Sequence, residues 1–412
     1  MTSTSRPGAQ PILLAFSGGL DTSFCVPWLK DTYQRPVITV TVDTGGIDAA
    51  AAQSLAERSQ KLGAIEHHLI DARSAYFEQV LKYLLMGNVR RGGVYPLCVG
   101  AERVLQAQTI AQMALSLGTK MVAHGCTAAG NDQVRFEVAL RTLAPELEII
   151  APVRDRAFKR PEQLKYLEDH RLPIPPFGAA YSVNRGLWGV TIGGKETLTS
   201  AGSIPDEAWV LSKDAFSAPR AAQRHVIGFN RGVPVSLDGT ASSAVEIIEK
   251  LELLAGPFGI GRGIHLGDTV IGTKGRVAFE APAADVLLTA HRELEKLVLT
   301  GKQARIKDLV AQPYGDLVHE GQHLDPVCRD IEALLLSSQA RVSGEVRVLF
   351  RPGSIFVEGV SSPYSLMAAS KGVYGESAGE WTPTDALGYS KMLALTGVFY
   401  QRAGAPPPGA DT

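Results

Sequence analysis

Cysteine is scarce in this chain, and the few that occur are far apart. The four, Cys25, Cys98, Cys126 and Cys328, show no C-x-x-C spacing. That argues against a zinc site or a disulfide framework and for reduced, mostly buried thiols. An excess of one charge is also missing. Forty-one Lys and Arg stand against 42 Asp and Glu, a net charge of −1, so the basic surplus of a broad nucleic-acid footprint is absent. No apolar run approaches the roughly 18 residues of a spanning helix. The polar stretch Met1–Gln10 has no apolar signal core. No internal repeat is visible. We therefore expect a cytoplasmic protein that binds neither nucleic acid nor membrane. Its 412 residues, 45% hydrophobic and 20% charged, suffice for two or three domains with a substantial core.

What the chain does have is concentrated at the ends of strands. Pro11–Ala15 is an uncharged apolar run, read as a buried parallel strand. It breaks at Ser17-Gly18-Gly19, and Asp21-Thr22-Ser23 open a helix. Small residues there let backbone N–H groups approach an anion, and the helix dipole favours negative charge at the same point. The two commonest phosphate loops are absent: no Lys follows the glycines as in G-x-x-x-x-G-K-[ST], and G-x-G-x-x-G does not occur here. The bland alternative is a glycine-rich turn with a capped helix that binds nothing.

Beyond this loop, Pro36–Val42 reads as a second strand ending at Asp43-Thr44-Gly45-Gly46, Ala49–Leu62 as a helix, and Ile65–Ile70 as a third strand. In an open parallel sheet the loops at the carboxyl ends face one ligand. Adjacent His67 and His68 point to opposite sides of a strand and make a poor metal pair. Helices are expected over 75–86 and 100–117, the latter burying Val104, Ala107, Ile110, Ala111 and Ala114, with Tyr95 at the break between them. Lys120–His124 is the next strand. It leads into His124-Gly125-Cys126-Thr127 and Gly130-Asn131-Asp132-Gln133-Val134-Arg135. Asn131 or Asp132 is expected to cap a helix carrying Arg135 one turn along. Such a set suits an amino acid: Asp132 accepts from an ammonium, while Arg135 and the Asn131 amide take a carboxylate. A capped helix with a surface arginine is the alternative.

Leu147–Pro152 closes this unit, and Pro173-Ile174-Pro175-Pro176 marks a boundary. We expect an α/β protein: a doubly wound parallel-sheet nucleotide-binding domain over 1–172, an α+β domain over 173–382, and a terminal helix and disordered tail over 383–412. In the second half, 181–194 reads as a loop with short strands, 224–239 as a hairpin turning at Arg231-Gly232, and 244–255 as an amphipathic helix. The seven glycines of 256–275 suggest a flexible or ligand-hugging run. Helices follow to Leu299 and over 326–338, then a hairpin over 345–360 turning at 351–354. The helix over 384–401 is apolar on more than one side, as in helices that dock on another subunit or domain.

Ser17-Gly18-Gly19-Leu20-Asp21-Thr22-Ser23 resembles the pyrophosphate loop of ATP pyrophosphatases. Together with the stretch from His124 to Arg135 it resembles the argininosuccinate synthase family. The likeness continues through Gly261-Arg262-Gly263, Ile271–Arg276, Ser362-Pro363 and Pro383–Ala386. It implies an ATP-dependent ligase of arginine biosynthesis that condenses citrulline with aspartate through a citrullyl-adenylate, releasing pyrophosphate and AMP, in a homotetramer. By the same resemblance Ala15, Phe16, Ser17, Gly18, Gly19, Leu20, Asp21, Thr22, Ser23, Val42 and Gly125 hold ATP, with Mg²⁺ accompanying it and no resident metal site. Thr127, Asn131 and Asp132 meet aspartate. Tyr95, Asn131, Arg135, Ser182 and Thr191 meet citrulline. Asp21, Asp132 and Arg135 act on the reacting groups.

Three positions depart from the family pattern: Gly100 for a serine, Gly267 for a glutamate and Phe279 for a tyrosine. All fall on the citrulline side. A lost carboxylate leaves an ammonium in need of another acceptor; Asp268, next in sequence, could supply it. The alternatives are the same chemistry on a citrulline derivative, a tRNA-modifying ATP pyrophosphatase, or a non-catalytic nucleotide-binding scaffold.

Overall fold

The computed structural model describes residues 10–175 and 181–404. The tail from Ala405 and part of the proline-rich boundary, Pro176 included, lie outside the described residues. Two compact units divide between Ser362 and Pro363.

The first unit begins with five parallel strands: β1 (Ile12–Ala15), β2 (Val37–Asp43), β3 (Glu66–Asp71), β4 (Met121–Ala123) and β5 (Glu148–Ile150). Their order is β3-β2-β1-β4-β5. All seven residues of β2 are buried, as expected for a strand covered on both faces. Side chains alternate across the sheet. Ile12 and Leu14 join one core with Phe24, Cys25 and Leu29 of the helix Leu20–Tyr33. Leu13 joins the other core with Val104, Ala107, Ile110, Ala111 and Ala114 of the helix Arg103–Ser116. Helices on both faces make the sheet doubly wound. Phe24 is held edge-on by Phe158 at 4.9 Å and Tyr166 at 5.2 Å. The reversal of strand order falls between β1 and β4, where an open sheet leaves a crevice.

Antiparallel sheets follow. The stretch read as a loop with short strands is a hairpin of β6 (Ser182–Gly186) and β7 (Gly189–Gly193). The hairpin of β8 (Gln223–Asn230) and β9 (Val233–Leu237) turns where expected, and Thr240–Ala241 adds β10. The glycine-rich run, expected to be flexible or ligand-hugging, contains regular structure. Arg262–Asp268 within it is a regular strand, β11, fully paired with β12 (Lys274–Glu280). Its glycines serve close approach: a Cβ on Gly261 (φ 74°) would strike the Ala281 carbonyl. β13 (Gly344–Arg351) and β14 (Ser354–Ser361) complete the second sheet, ordered β10-β9-β8-β13-β14 beside β11-β12-β7-β6.

The helix Gly301–Glu320 had no counterpart in the reading of the sequence. Its inward face carries Lys307, Tyr314 and His319, which masks its amphipathic period. Lys307 is fully buried and donates to the Met86 carbonyl at 3.0 Å. It also pairs with Glu295 at 3.0 Å. Glu295 in turn accepts from Asn88 and Gln339, each at 2.6 Å, and His291 bridges those two amides. A buried charge pair is tolerated when its remaining valences are met. In the second unit the helix Pro383–Gly404 has no buried residue.

Candidate active site

The Ser17–Ser23 loop sits at the carboxyl end of β1. Gly18 takes φ 72°, and a Cβ there would run into Leu55. Thr22 Oγ1 donates to the Gly19 carbonyl at 3.3 Å and accepts from Ser17 N at 3.3 Å. Arg58 Nη1 donates to the Gly18 carbonyl at 2.6 Å, pinning the loop from the second helix. Ser23 is buried and donates to the same carbonyl. Gly19 precedes the helix with no side-chain cap, so the first N–H groups are left open to an anion.

A cavity of about 560 Å³ lies over this loop. Ala15, Phe16, Ser17, Gly19, Asp21, Thr22, Val42 and Gly125 line it. Gly18, Leu20 and Ser23 do not line it; Gly18 and Ser23 shape the loop, and Leu20 packs on the core beneath the first helix. Gly125 leaves room for the helix start: a Cβ on it would lie 2.9 Å from Thr22 Cγ2 and 3.1 Å from Thr22 N. A second cavity of about 850 Å³ adjoins, lined by Tyr95, Thr127, Asn131, Asp132, Arg135, Ser182, Thr191 and Asp268 among others. Asp21, Arg103, Gly125, Cys126, Asp132 and Asn184 border both cavities.

Asn131 is at the N-cap position of the helix Asp132–Leu143, but its side chain caps nothing there. Its amide oxygen accepts instead from Val270 N at 3.0 Å, tying the helix start to the β11–β12 turn. That corrects the expected cap. Asp132 is gripped twice, by Arg103 Nε at 3.0 Å and by Arg135 Nη1 at 2.8 Å. Burial works to raise its pKa, but the two guanidiniums outweigh it and hold the carboxyl below its usual range. Arg135 is buried, donating also to the His319 carbonyl at 2.7 Å and to His319 Nδ1 at 3.2 Å. An arginine only donates, so His319 carries its own proton on Nε2. Burial and the neighbouring Arg135 push His319 down to about 3.

Several cavity residues escaped the sequence reading. Arg103 also binds Glu102 at 2.7 Å, and Glu102 accepts from Thr44 Oγ1 at 2.7 Å. Burial pushes Glu102 up to about 7, against the pull of Arg103 and Thr44. His265 stacks on Tyr95 with ring centroids 5.4 Å apart. Arg91 and His319 line the second cavity with them. One signal for His319 was available: Thr300 and Gln303, spaced as a capping box, open its helix, and Gly321 closes it.

The departures are not empty slots. A Cβ on Gly100 would lie 2.9 Å from Arg135 Nη2, so the guanidinium fills that space. Phe279 packs 5.2 Å from Tyr95. Asp268 is exposed and its carboxylate is bound by Lys274 at 2.5 Å.

Residues 11–173 match the family model of the arginosuccinate synthase N-terminal HUP domain, and 181–400 that of the arginosuccinate synthase C-terminal domain. The chain belongs to the argininosuccinate synthase family. It is 40% identical to the argininosuccinate synthase of Xanthomonas campestris, over 95% of this chain and 98% of that one. It is 39% identical to that of Pyrobaculum aerophilum, over 94% and 97% of the two chains. The Staphylococcus saprophyticus relative is 34% identical over 95% of each. Membership makes the chain an ATP-dependent carbon–nitrogen ligase. The tRNA-modifying and scaffold alternatives find no support in these matches. Among the described residues no helix is long and apolar enough to cross a membrane, and no cluster of three metal-ligating side chains occurs.

Proposed function

We propose that this chain joins citrulline to aspartate, with the two halves of the reaction run in the two adjoining cavities. The continuity of those cavities through Asp21, Arg103, Gly125 and Asp132 is the observation that carries the reading. ATP lies in the first cavity with its phosphates over the Ser17–Thr22 loop. The ureido oxygen of citrulline attacks the α-phosphorus, the bond to the β-phosphate oxygen breaks, and pyrophosphate leaves into the open N–H groups of the loop. The aspartate amine then attacks the ureido carbon and AMP departs. Asp132 and Thr127 hold aspartate, and Arg135, Tyr95, Ser182 and Thr191 hold citrulline. No covalent enzyme intermediate is required, so rate comes from positioning and charge stabilisation.

Mg²⁺ fits this site as an ion carried in by ATP, because Asp21 offers a carboxylate at the border of both cavities. When bound, it would neutralise charge developing on the pyrophosphate. A homotetramer is part of the proposal. It is supported by the helix Pro383–Gly404, whose Leu387, Met392, Leu393 and Phe399 are all exposed on the single chain. A cytoplasmic location is part of the same proposal.

The test is pyrophosphate release from ATP and aspartate with citrulline, and separately with N-acetylcitrulline, with mass detection of the condensed product. Release and argininosuccinate with citrulline support the reading. Turnover only with the acetylated acceptor, or none with either, overturns it.

A further inference from the structure

Two phosphates that leave together carry their charge away with them, and cations as well as backbone N–H groups stabilise that departure. Three arginines line the first cavity: Arg58, Arg103 and Arg185. Arg103 is committed to Glu102 and Asp132, and Arg185 to Glu252. His124 lines it too, but burial lowers its pKa to about 4, so it is neutral. Arg58 differs. Among the described residues it has no carboxylate partner, and its one hydrogen bond runs from Nη1 to the Gly18 carbonyl at 2.6 Å. Its Nε and Nη2 are left without a protein partner, and neither is buried.

The fold aims this side chain. Ala51, Ser54, Leu55 and Arg58 recur at helical spacing in the helix Ala49–Lys61, and all of them line the first cavity. One stripe of that helix therefore faces the Ser17–Ser23 loop. A Cβ on Gly18 would lie 2.4 Å from Leu55 Cδ2 and 3.4 Å from Arg58 Nη1. Arg58 and Ser23 both donate to the Gly18 carbonyl, which occupies an oxygen that would otherwise repel a phosphate. The guanidinium spends one N–H on this bond and keeps the others.

We propose that Arg58 is a catalytic residue whose free guanidinium edge holds the β- and γ-phosphoryl oxygens of ATP and balances the charge that develops as pyrophosphate leaves. The inference rests on the reading above, which lays the phosphates over the Ser17–Thr22 loop. In that step the bond from the α-phosphorus to the bridging oxygen breaks, and its electron pair goes to the departing pyrophosphate. A permanently charged guanidinium meets that charge with no proton to wait for. The bond to Gly18 ties the cation to the loop, so cradle and charge keep one geometry.

The test compares Arg58→Met and Arg58→Lys with wild type in two assays on the full chain. The first is equilibrium dialysis of labelled inorganic pyrophosphate with Mg²⁺, and separately of AMP, which needs no turnover. Arg58→Met is expected to weaken pyrophosphate binding by about tenfold or more and to leave AMP binding unchanged. Arg58→Lys should recover part of the loss, since it restores the charge without the forked donors. The second assay is citrulline-dependent pyrophosphate release. There kcat should fall by about 100-fold in R58M, with the KM for citrulline and for aspartate unchanged. Arg58→Gln keeps a donor for the Gly18 carbonyl but no charge, and it takes the place of R58M if that variant melts early; it should lose pyrophosphate in the same way. Unchanged pyrophosphate affinity in the uncharged variants overturns the inference. Equal losses of pyrophosphate and AMP overturn it too, because a side chain that only props the loop would produce them. A wild type that binds pyrophosphate yet is silent with citrulline overturns the ligation reading alone, and the dialysis still decides whether Arg58 holds pyrophosphate.

Discussion

Arg103 and Asp132 meet at 3.0 Å where the first cavity opens into the second. The guanidinium also binds Glu102 at 2.7 Å, so one side chain balances two carboxylates. Without Arg103, Asp132 keeps Arg135 but buried Glu102 loses its ionic partner, and breaking a buried pair costs about 3–5 kcal/mol. We expect Arg103→Met to lose about that much in urea denaturation and to slow pyrophosphate release by about 100-fold, equivalent to ~2.7 kcal/mol in the barrier. Arg103→Lys should retain part of the stability but less of the activity, since a point charge cannot reach both carboxylates in fixed directions.

Glu102 supplies a pH dependence. Its folded pKa, raised to about 7 by burial, lies above the ordinary 4.5. The folded chain therefore keeps a proton that the unfolded chain has released. Stability falls as pH rises from about 4.5 to about 7 and levels off above. Glu102→Gln abolishes that slope. The stability of E102Q relative to wild type should improve between pH 5 and pH 8, by no more than ~3 kcal/mol at 1.36 kcal/mol per unit. Paired urea melts at the two pH values measure it; a parallel pair of curves would refute it.

Gly18 and Gly19 are expected to fail differently. Gly18 has φ 72° and Leu55 in the way of a Cβ. Gly18→Ala should thus cost stability, ~1–2 kcal/mol from handedness alone, and damage ATP binding with it. Gly19 has φ −73°, and its nearest neighbour to a new Cβ is Ser17 Oγ at 3.6 Å. Gly19→Ala should melt like wild type, yet raise the ATP KM by about tenfold or more, because only a bound phosphate would meet the added methyl. Thermal melts beside ATP kinetics separate the two.

The Lys307–Glu295 pair lies outside both cavities, with Lys307 and Glu295 almost wholly buried. Lys307→Met leaves the Glu295 charge with amide donors alone and should lower stability by about 3–5 kcal/mol. Per-molecule turnover of the folded fraction should be unchanged, as an active-site titration would show.

Much of the nucleotide half was legible because local rules and long-range packing agree there. An uncharged strand, a glycine break and a helix start leave few options for Ile12–Tyr33, and the buried stripe Val104–Ala114 follows one period. The acceptor side was not legible in the same way. His265 looks like any polar residue on a strand. It becomes informative only once β11 pairs with β12 and the Arg91–Tyr95 turn closes on it. His319 sits on a helix whose inward face is polar, so hydrophobic period did not reveal the element at all. Asn131 shows the reverse limit. Its position was legible but its partner was not, because Val270 is 139 residues away.

The β6–β7 hairpin belongs to the stretch matched by the C-terminal domain model, yet Val183, Asn184 and Arg185 line the first cavity. Leu187 N donates to the Thr44 carbonyl at 2.9 Å, and Gly45 lies so close to Leu187 that a Cβ would strike its backbone. With ATP placed as proposed, nucleotide affinity is a property shared by two stretches of sequence that separate family models describe. A chain severed between them would present each fragment with half a pocket. Recovery of ATP binding on mixing would then report reassembly of the halves, making the nucleotide a sensor of the protein's own completeness.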